Sequence, residues 1–366
     1  MKFFVSIVAL ILPFCETICQ PSVNWEVQEL IRDGRIDAIA DLGGGVIVAG
    51  SRWPNSGMIF RSTDYGITWK KVKDLTGPKG TYLNNEILGL MGGPGNYAYL
   101  ITSNAHFWRS KDKGLTWEKT AELDAQMGKM AWSYSICVTR NNTVLVTRGF
   151  YVYRSTDNGL HFEKTGPVSD NFLYRLQEVG NSIFVNGWAG RLYKSEDDGK
   201  TWDTFSQLGP ATFPLRIIKP YNPLLLQPHS TAIEYLGGDV FMQGTTQGEN
   251  YRIHQNKPDQ IEASSKFSGG LDDYAYLGYG TVIASNYLDS LLTYRGERNN
   301  YISYNSGETW QNLGVIPTGV SGDWLDHVIK VDKRDSVIAI GGTSKGFIVR
   351  AAFLRDDLKR LAHDAE

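Results

Sequence analysis

Charged and aromatic side chains gather where the apolar runs of this chain begin. Arg35, Asn85 with Glu86, Trp132, Tyr174 with Arg175, His229, Asp272 with Asp273, and Asp326 with His327 each open such a run. The segments between runs add Arg52 with Trp53, His106, Arg148, Trp188, Arg295 with Arg298, and Asp323 with Trp324. Aromatic rings stack on the apolar faces of a ligand while guanidinium and carboxylate groups fix its polar substituents, so this mixture suits a sugar or a peptide. Glu86 facing Asp273 or Asp326 would form a pair of carboxylates of the kind that hydrolyses glycosidic bonds. Those three are the catalytic candidates; the arginines, histidines and aromatics are candidates for ligand contact.

Other patterns carry no chemistry. Gly342-Thr-Ser-Lys-Gly346 has the spacing of a serine nucleophile turn, but that turn joins a strand to a helix, and here both neighbours read as strands. Gly199-Lys200-Thr201 ends like a phosphate loop, yet Lys194 stands where its first glycine belongs. Six scattered His and, once a signal peptide is removed, no cysteine pair at zinc spacing give no basis for a metal ion, and no cofactor motif is present. Asn141-Asn142-Thr143 matches a glycosylation acceptor.

The formal net charge of -2 offers no basic footprint for nucleic acid. Apolar residues at 42%, with 39 Gly, 10 Trp and 19 Tyr, suit many short strands joined by tight turns. Residues 1–19 read as a signal peptide: Lys2, an apolar run from Phe3 to Leu12, a break at Pro13, then small and polar residues. That run is too short to span a bilayer, which takes about 20 apolar residues. A secreted or extracytoplasmic monomer is expected. A lipid anchor on Cys15 or Cys19 is not, because small residues do not precede either one. Removal of the signal leaves Cys137 alone, so no intramolecular disulfide can form and packing must supply stability.

The elements that must position these side chains come from an internal repeat. Arg-Ser-Thr-Asp-Tyr-Gly-Ile-Thr-Trp69 recurs as Arg-Ser-Lys-Asp-Lys-Gly-Leu-Thr-Trp117, Arg-Ser-Thr-Asp-Asn-Gly-Leu-His-Phe162, Lys-Ser-Glu-Asp-Asp-Gly-Lys-Thr-Trp202 and Ile-Ser-Tyr-Asn-Ser-Gly-Glu-Thr-Trp310. Asp64, Asp112, Asp157, Asp197 and Asn305 can accept hydrogen bonds from amides of a hairpin turn, and the glycine two residues on takes a positive φ. The repeat serines at 62, 110, 155, 195 and 303 lie 48, 45, 40 and 108 residues apart. The wide last interval holds Tyr251–Asn256, a strand without its turn motif, and Gly346–Arg350 is a further such strand. Seven units result. Each has two strands upstream of the hairpin, such as Arg35–Asp41 and Val46–Ala49, giving four-stranded antiparallel blades of about 40–50 residues.

The Ser-x-Asp-x-Gly-x-Thr-Trp motif resembles the Asp-box (BNR) repeat of sialidases, xyloglucan-active cellobiohydrolases, sortilin-type receptors and photosystem II assembly factors. The resemblance implies an all-β, seven-bladed β-propeller over residues 20–354, with 355–366 left as a polar tail. The last unit has three strands, and Asn24-Trp25-Glu26-Val27 reads like its missing fourth, so the chain ends should close the ring. In such propellers the face opposite the boxes binds ligands, which would gather the candidate residues at the channel mouth. Gln207–His229 and Tyr287–Asn300 are long connections that would wall this face.

For function, the resemblance implies an exported binding or assembly module that recognises a glycan or protein; the alternative is a glycoside hydrolase. Sialidases of the family use a tyrosine nucleophile with a glutamate beside it, an aspartic acid, and three arginines on the substrate carboxylate. Gly34-Arg35-Ile36-Asp37 is similar to their Arg-Ile-Pro signature with Asp37 in place of proline, and Arg148, Arg295 or Arg298 would complete the arginine set. Gly187-Trp-Ala-Gly190 resembles the assembly-factor branch, which is not enzymatic.

Overall fold

The computed structural model describes residues 23–75, 85–123, 135–169, 172–187, 190–208, 230–246, 248–267, 269–287 and 298–365. The signal segment and the candidates Trp132, Trp188, His229 and Arg295 lie outside them, as do residues 209–229 and 288–297 of the two long connections.

The chain opens with β1 (Glu26–Glu29). Blade one is β2 (Arg35–Asp41), β3 (Ile47–Arg52), β4 (Met58–Ser62) and β5 (Lys70–Asp74); blade two is β6 (Ile87–Gly92), β7 (Ala98–Thr102), β8 (His106–Ser110) and β9 (Glu118–Glu122). Blade three is β10 (Ile136–Val138), β11 (Val144–Arg148), β12 (Tyr151–Ser155) and β13 (Glu163–Thr165). Blade four is β14 (Leu173–Val179), β15 (Ser182–Gly187), β16 (Arg191–Ser195) and β17 (Asp203–Gln207). Blade five is β18 (Ser230–Tyr235), β19 (Val240–Thr245), β20 (Glu249–His254) and β21 (Lys257–Lys266). Blade six is β22 (Gly270–Gly278), β23 (Thr281–Tyr287), β24 (Asn300–Ser303) and β25 (Gln311–Gly314). Blade seven takes β26 (Leu325–Lys333), β27 (Ser336–Thr343) and β28 (Phe347–Leu354) from the C-terminal end, and its fourth strand is β1.

The closing pair is antiparallel, with Glu26 opposite Arg350 and Val27 opposite Val349. Thus the expected seven-bladed ring, sealed by the N-terminal strand, is the observed fold. The first strands of successive blades touch around the axis, from β2 through β6, β10, β14, β18 and β22 to β26 and back to β2. Second strands supply the driest packing: Ile47, Val48 and Ala49 in β3 and Val337, Ile338, Ala339 and Ile340 in β27 have no exposed surface. Apolar clusters bridge neighbouring blades, as where Ile39, Ala49 and Phe60 of blade one meet Ile338 and Ile340 of blade seven.

The five boxes share one hydrogen-bond plan. In the first, the Ser62 hydroxyl donates to Asp64 Oδ1 at 2.7 Å and accepts the Gly66 amide at 3.0 Å. Asp64 also accepts the Thr68 amide and hydroxyl, and the Trp69 indole donates to the Gly66 carbonyl at 3.0 Å. His161 replaces threonine in the third box, its Nδ1 2.6 Å from Asp157 Oδ2. These bonds outweigh burial and hold Asp64, Asp112, Asp157 and Asp197 below the usual carboxylate range.

The boxes also join blades. Box glycines rest on the preceding blade: Gly66 on Ile340, Gly114 on Val48, Gly199 on Leu145. The arginine before the box serine reaches the following blade, where it donates to the carbonyl of the left-handed residue before the next box glycine. Arg61 reaches Lys113 at 2.7 Å, Arg109 reaches Asn158 at 3.1 Å and Arg154 reaches Asp198 at 2.9 Å. Lys113, Asn158 and Asp198 have φ of 52°, 58° and 61°.

One segment differs from expectation. Residues 355–365, read as a polar tail, form helix α1 (Arg355–Ala365), with Leu358 fully buried among Ile283, Ile302 and Val349. The helix leaves β28 where blades one to four and six turn through a box to their fourth strand. Blade seven needs no such turn, because its fourth strand arrives from the other terminus.

Candidate functional site at the channel mouth

Each first strand runs away from the mouth, so its first residues ring the opening. In six blades the pairing of first and second strands slips near that end, between Ile36 and Ala38, Ile87 and Gly89, Leu173 and Leu176, Ser230 and Ala232, Leu271 and Asp273, and Leu325 and His327. Such a bulge leaves an extra residue unpaired and re-aims its side chain. In blades one, six and seven that residue is an aspartate: Asp37, Asp272 and Asp326.

Guanidinium groups answer most of the charge that this brings together. Arg35 holds Asp326 through two hydrogen bonds, of 2.9 Å from Nε and 2.6 Å from Nη2. Arg52 pairs with Asp37 and approaches Glu86 Oε2 at 3.7 Å, while the Trp53 amide donates to Glu86 Oε1 at 3.2 Å. Arg175 reaches Asp273 Oδ1 at 3.2 Å, the His327 Nδ1 sits 2.5 Å from Asp273 Oδ2, and the Val328 amide donates to that same oxygen at 3.1 Å. Below the mouth the axial channel holds a cavity of about 440 Å³, reached by Asp37, Arg175, Gln177, Glu234, Asp273 and His327.

Position decides which acids ionise. Burial opposes charge on Asp37, but Arg52 and Arg35 outweigh it and bring its carboxyl down to about 2. Asp273 likewise falls below the usual range against burial, drawn down by Arg175 and His327. Burial pushes Asp326 up to about 6 in spite of Arg35. It also carries Asp272 well above the carboxylate range, helped by the charges of Asp326 and Asp37. Glu234 is pushed up to about 8 by burial, although the Tyr276 amide donates to it at 3.2 Å. The mouth therefore presents arginine–carboxylate pairs around Asp272, a carboxyl whose charge burial and its acidic neighbours oppose.

The structure gathers Arg35, Arg52, Glu86, Arg175, Asp273, Asp326 and His327, as the sequence suggests. Trp53 stands at the rim, 55% exposed, and Trp324 lies beside Arg35, whose Cζ is 5.5 Å from its ring centre. Tyr174 neighbours Arg175 in the bulge of blade four. Arg148 is at the mouth end of β11 but is buried. His106 is placed differently: it opens the third strand of blade two and its Nε2 faces Glu122 of the outermost strand at 3.5 Å, away from the axis. Sequence reading passed over Asp37 as a ligand and missed Gln177 and Glu234, which enter the channel from the middle of their strands.

Glu86, Asp273 and Asp326 are not a free carboxylate pair, since each is bound to arginine or to backbone amides. Among the described residues no group of three or more His, Cys, Asp or Glu is disposed to hold a metal ion, and no helix is long and apolar enough to cross a membrane.

Comparison with known proteins bears on the fold. The BNR/Asp-box repeat family matches residues 60–71, the first box. No curated protein matches the chain in sequence. Among solved structures it is similar to YCF48 bound to D1 peptide, at 12% identity and a TM-score of 0.62 over 89% of this chain and 96% of that one. A catalytically inactive virginiamycin B lyase from Staphylococcus aureus with quinupristin aligns at 12% identity and a TM-score of 0.64, over 90% of this chain and all of the lyase. The extracellular domain of BT4673 from B. thetaiotaomicron aligns at 14% identity and a TM-score of 0.61, over 89% of this chain and 39% of that one. With its repeated clasps and seven blades in a closed ring, the chain is a seven-bladed β-propeller that carries the BNR/Asp-box repeat.

Proposed function

We propose that the chain is an exported binding module whose channel mouth, opposite the Asp-boxes, holds a segment of a protein partner. The observation that carries this reading is the pairing of the mouth acids: Asp273 and Asp326 are spent on Arg175 and Arg35, and Glu86 takes the Trp53 amide on one oxygen with Arg52 3.7 Å from the other. A hydrolase needs a carboxyl poised against the scissile bond, whereas a binding site needs fixed donors and acceptors that cost little to hold in place. The paired ions and the exposed Trp53 are such groups. The similar fold of YCF48 bound to D1 peptide is in keeping with it. A glycan is the second ligand class, favoured by the exposed Trp53 ring, which suits the apolar face of a sugar.

Peptide and glycan arrays probed with the purified chain test the reading. Binding should be lost in Trp53→Ala and kept in Ile67→Ala on the box face. Loss in the second variant and retention in the first would place the site on the wrong face. Fluorogenic sialosides and β-glucan oligosaccharides should not be turned over; turnover abolished by Glu86→Gln or Asp273→Asn would establish the hydrolase instead.

A further inference from the structure

A second cavity, of about 600 Å³, lies outside the channel between blades six and seven, where Arg298, Val315, Val320 and Gly322 line it. Arg298 stacks on Trp324, its Cζ 4.7 Å from the ring centre. The Arg35 charge on the same ring is answered by Asp326, whereas Arg298 has no acid partner among the described residues. The backbone that carries the ring is fixed. The Trp324 main-chain amide donates to Asp323 Oδ1 at 2.9 Å, and the buried Asp323 also takes the hydroxyls of Thr343 and Ser344, both at 2.9 Å. Those bonds occupy both Asp323 oxygens. A side chain at Gly322 would overlap the guanidinium, so glycine leaves room for the stacked pose.

Stacking restrains a guanidinium in a plane and leaves its N–H edge available for a planar, two-oxygen acceptor. Beside that edge Val315 and Val320 are 63% and 42% exposed, an apolar surface next to a single positive charge. We infer that this cleft binds an aliphatic carboxylate, its two oxygens on the Arg298 fork and its branched body on the two valines. The inference is independent of the reading of the mouth.

The test is titration of 4-methylpentanoate into the full chain, followed through the Trp324 indole N–H resonance, assigned with Trp324→Phe. A saturable shift is expected, with at least tenfold weaker binding to Arg298→Ala and to Gly322→Ala, which displaces the guanidinium without removing its charge. The uncharged 4-methylpentanamide should bind at least tenfold more weakly, and Trp53→Ala should bind the acid as the parent does. A peptide ending in leucine with a free carboxylate, compared with its amide, identifies the source: tighter binding than the free acid assigns the cleft to a chain end, weaker binding to a small acid, and both support the site. Equal binding of acid and amide, unchanged affinity in Arg298→Ala, or no saturable shift up to roughly 50 mM, far above the millimolar affinity of a weak ligand, would overturn it.

Discussion

Arg350 of the last β-strand donates from Nε to the carbonyl of Tyr65 in the first Asp-box, at 3.0 Å and 285 residues away in sequence. It is the same bond that Arg61, Arg109 and Arg154 make to the box of the following blade. The junction between blades seven and one is therefore closed by the same device as the first three, although blade seven has no box. A second bond, of 2.7 Å from Nη1 to Glu26, ties the guanidinium to the N-terminal strand.

If that bond seals the ring, Arg350→Ala should lower unfolding free energy by about 1.5–3 kcal/mol, the range for hydrogen bonds from a charged group. Glu26 is 63% exposed on its side chain, so Glu26→Gln should cost less than about 1 kcal/mol. Denaturant unfolding of both variants checks this; equal losses would mean that the ion pair, and not the bond to Tyr65, matters.

Two adjacent positions in one box should respond oppositely to a change of side chain. Gly114 has φ of 76°, and a Cβ there would meet Val48 Cγ2 at 2.5 Å in the dry second strand of blade one. Gly114→Ala is expected to cost about 2–5 kcal/mol, the left-handed penalty plus overpacking. Lys113, with φ of 52°, already pays part of that penalty as a non-glycine residue. Lys113→Gly should be neutral or stabilising by up to about 1 kcal/mol, as read from the midpoint of chemical unfolding.

Helix α1 supplies blade seven with apolar cover that its sequence does not advertise. Of its residues only Leu358 is buried, yet Leu358 has no exposed surface and packs with residues of blades six and seven. Leu358→Ala should cost about 2–5 kcal/mol. Lys359→Ala, on the exposed side with an i,i+3 contact to Asp356 and its Nζ 5.6 Å from the Tyr279 ring centre, should cost less than about 1 kcal/mol. Thermal melts of the pair separate a docked helix from a solvated one.

The ring was legible because a box repeats locally: Ser62, Asp64, Gly66 and Trp69 find one another within eight residues, and so do their counterparts. Closure was legible from Trp25, which resembles the residue that follows each box. What sequence does not expose is the partner across the ring. Arg35 and Asp326 lie 291 residues apart, and nothing near either names the other. The bulges that turn Asp37, Asp272 and Asp326 to the axis are register shifts between strands, which strand-forming patterns do not encode. The arginine before the serine of the first three boxes was visible as a repeat, but its bond runs to the next blade. His106 shares the composition of the mouth residues and occupies a third strand, so residue type alone put it in the wrong place.

The channel acids set an unusual pH dependence. Glu234 titrates at about 8 in the folded chain against an ordinary value of 4.5, since burial disfavours its charge. Between those values the unfolded chain has released a proton that the folded chain keeps, so raising the pH favours unfolding. This contribution is fully present below about pH 4.5 and is lost as pH rises through 8; Asp326, raised to about 6, adds to the loss at its lower end. Asp37, brought down to about 2, acts in the opposite sense, and its contribution fades only in acid below the ordinary carboxylate range. Stability should therefore fall from pH 5 to pH 8, with Glu234 contributing at most about 1.4 kcal/mol per pH unit. Glu234→Gln keeps an acceptor for the Tyr276 amide and removes the titration. Its melting temperature should change less over that interval than that of the parent. Parallel curves for the two proteins would show that Glu234 is already ionised in the folded channel.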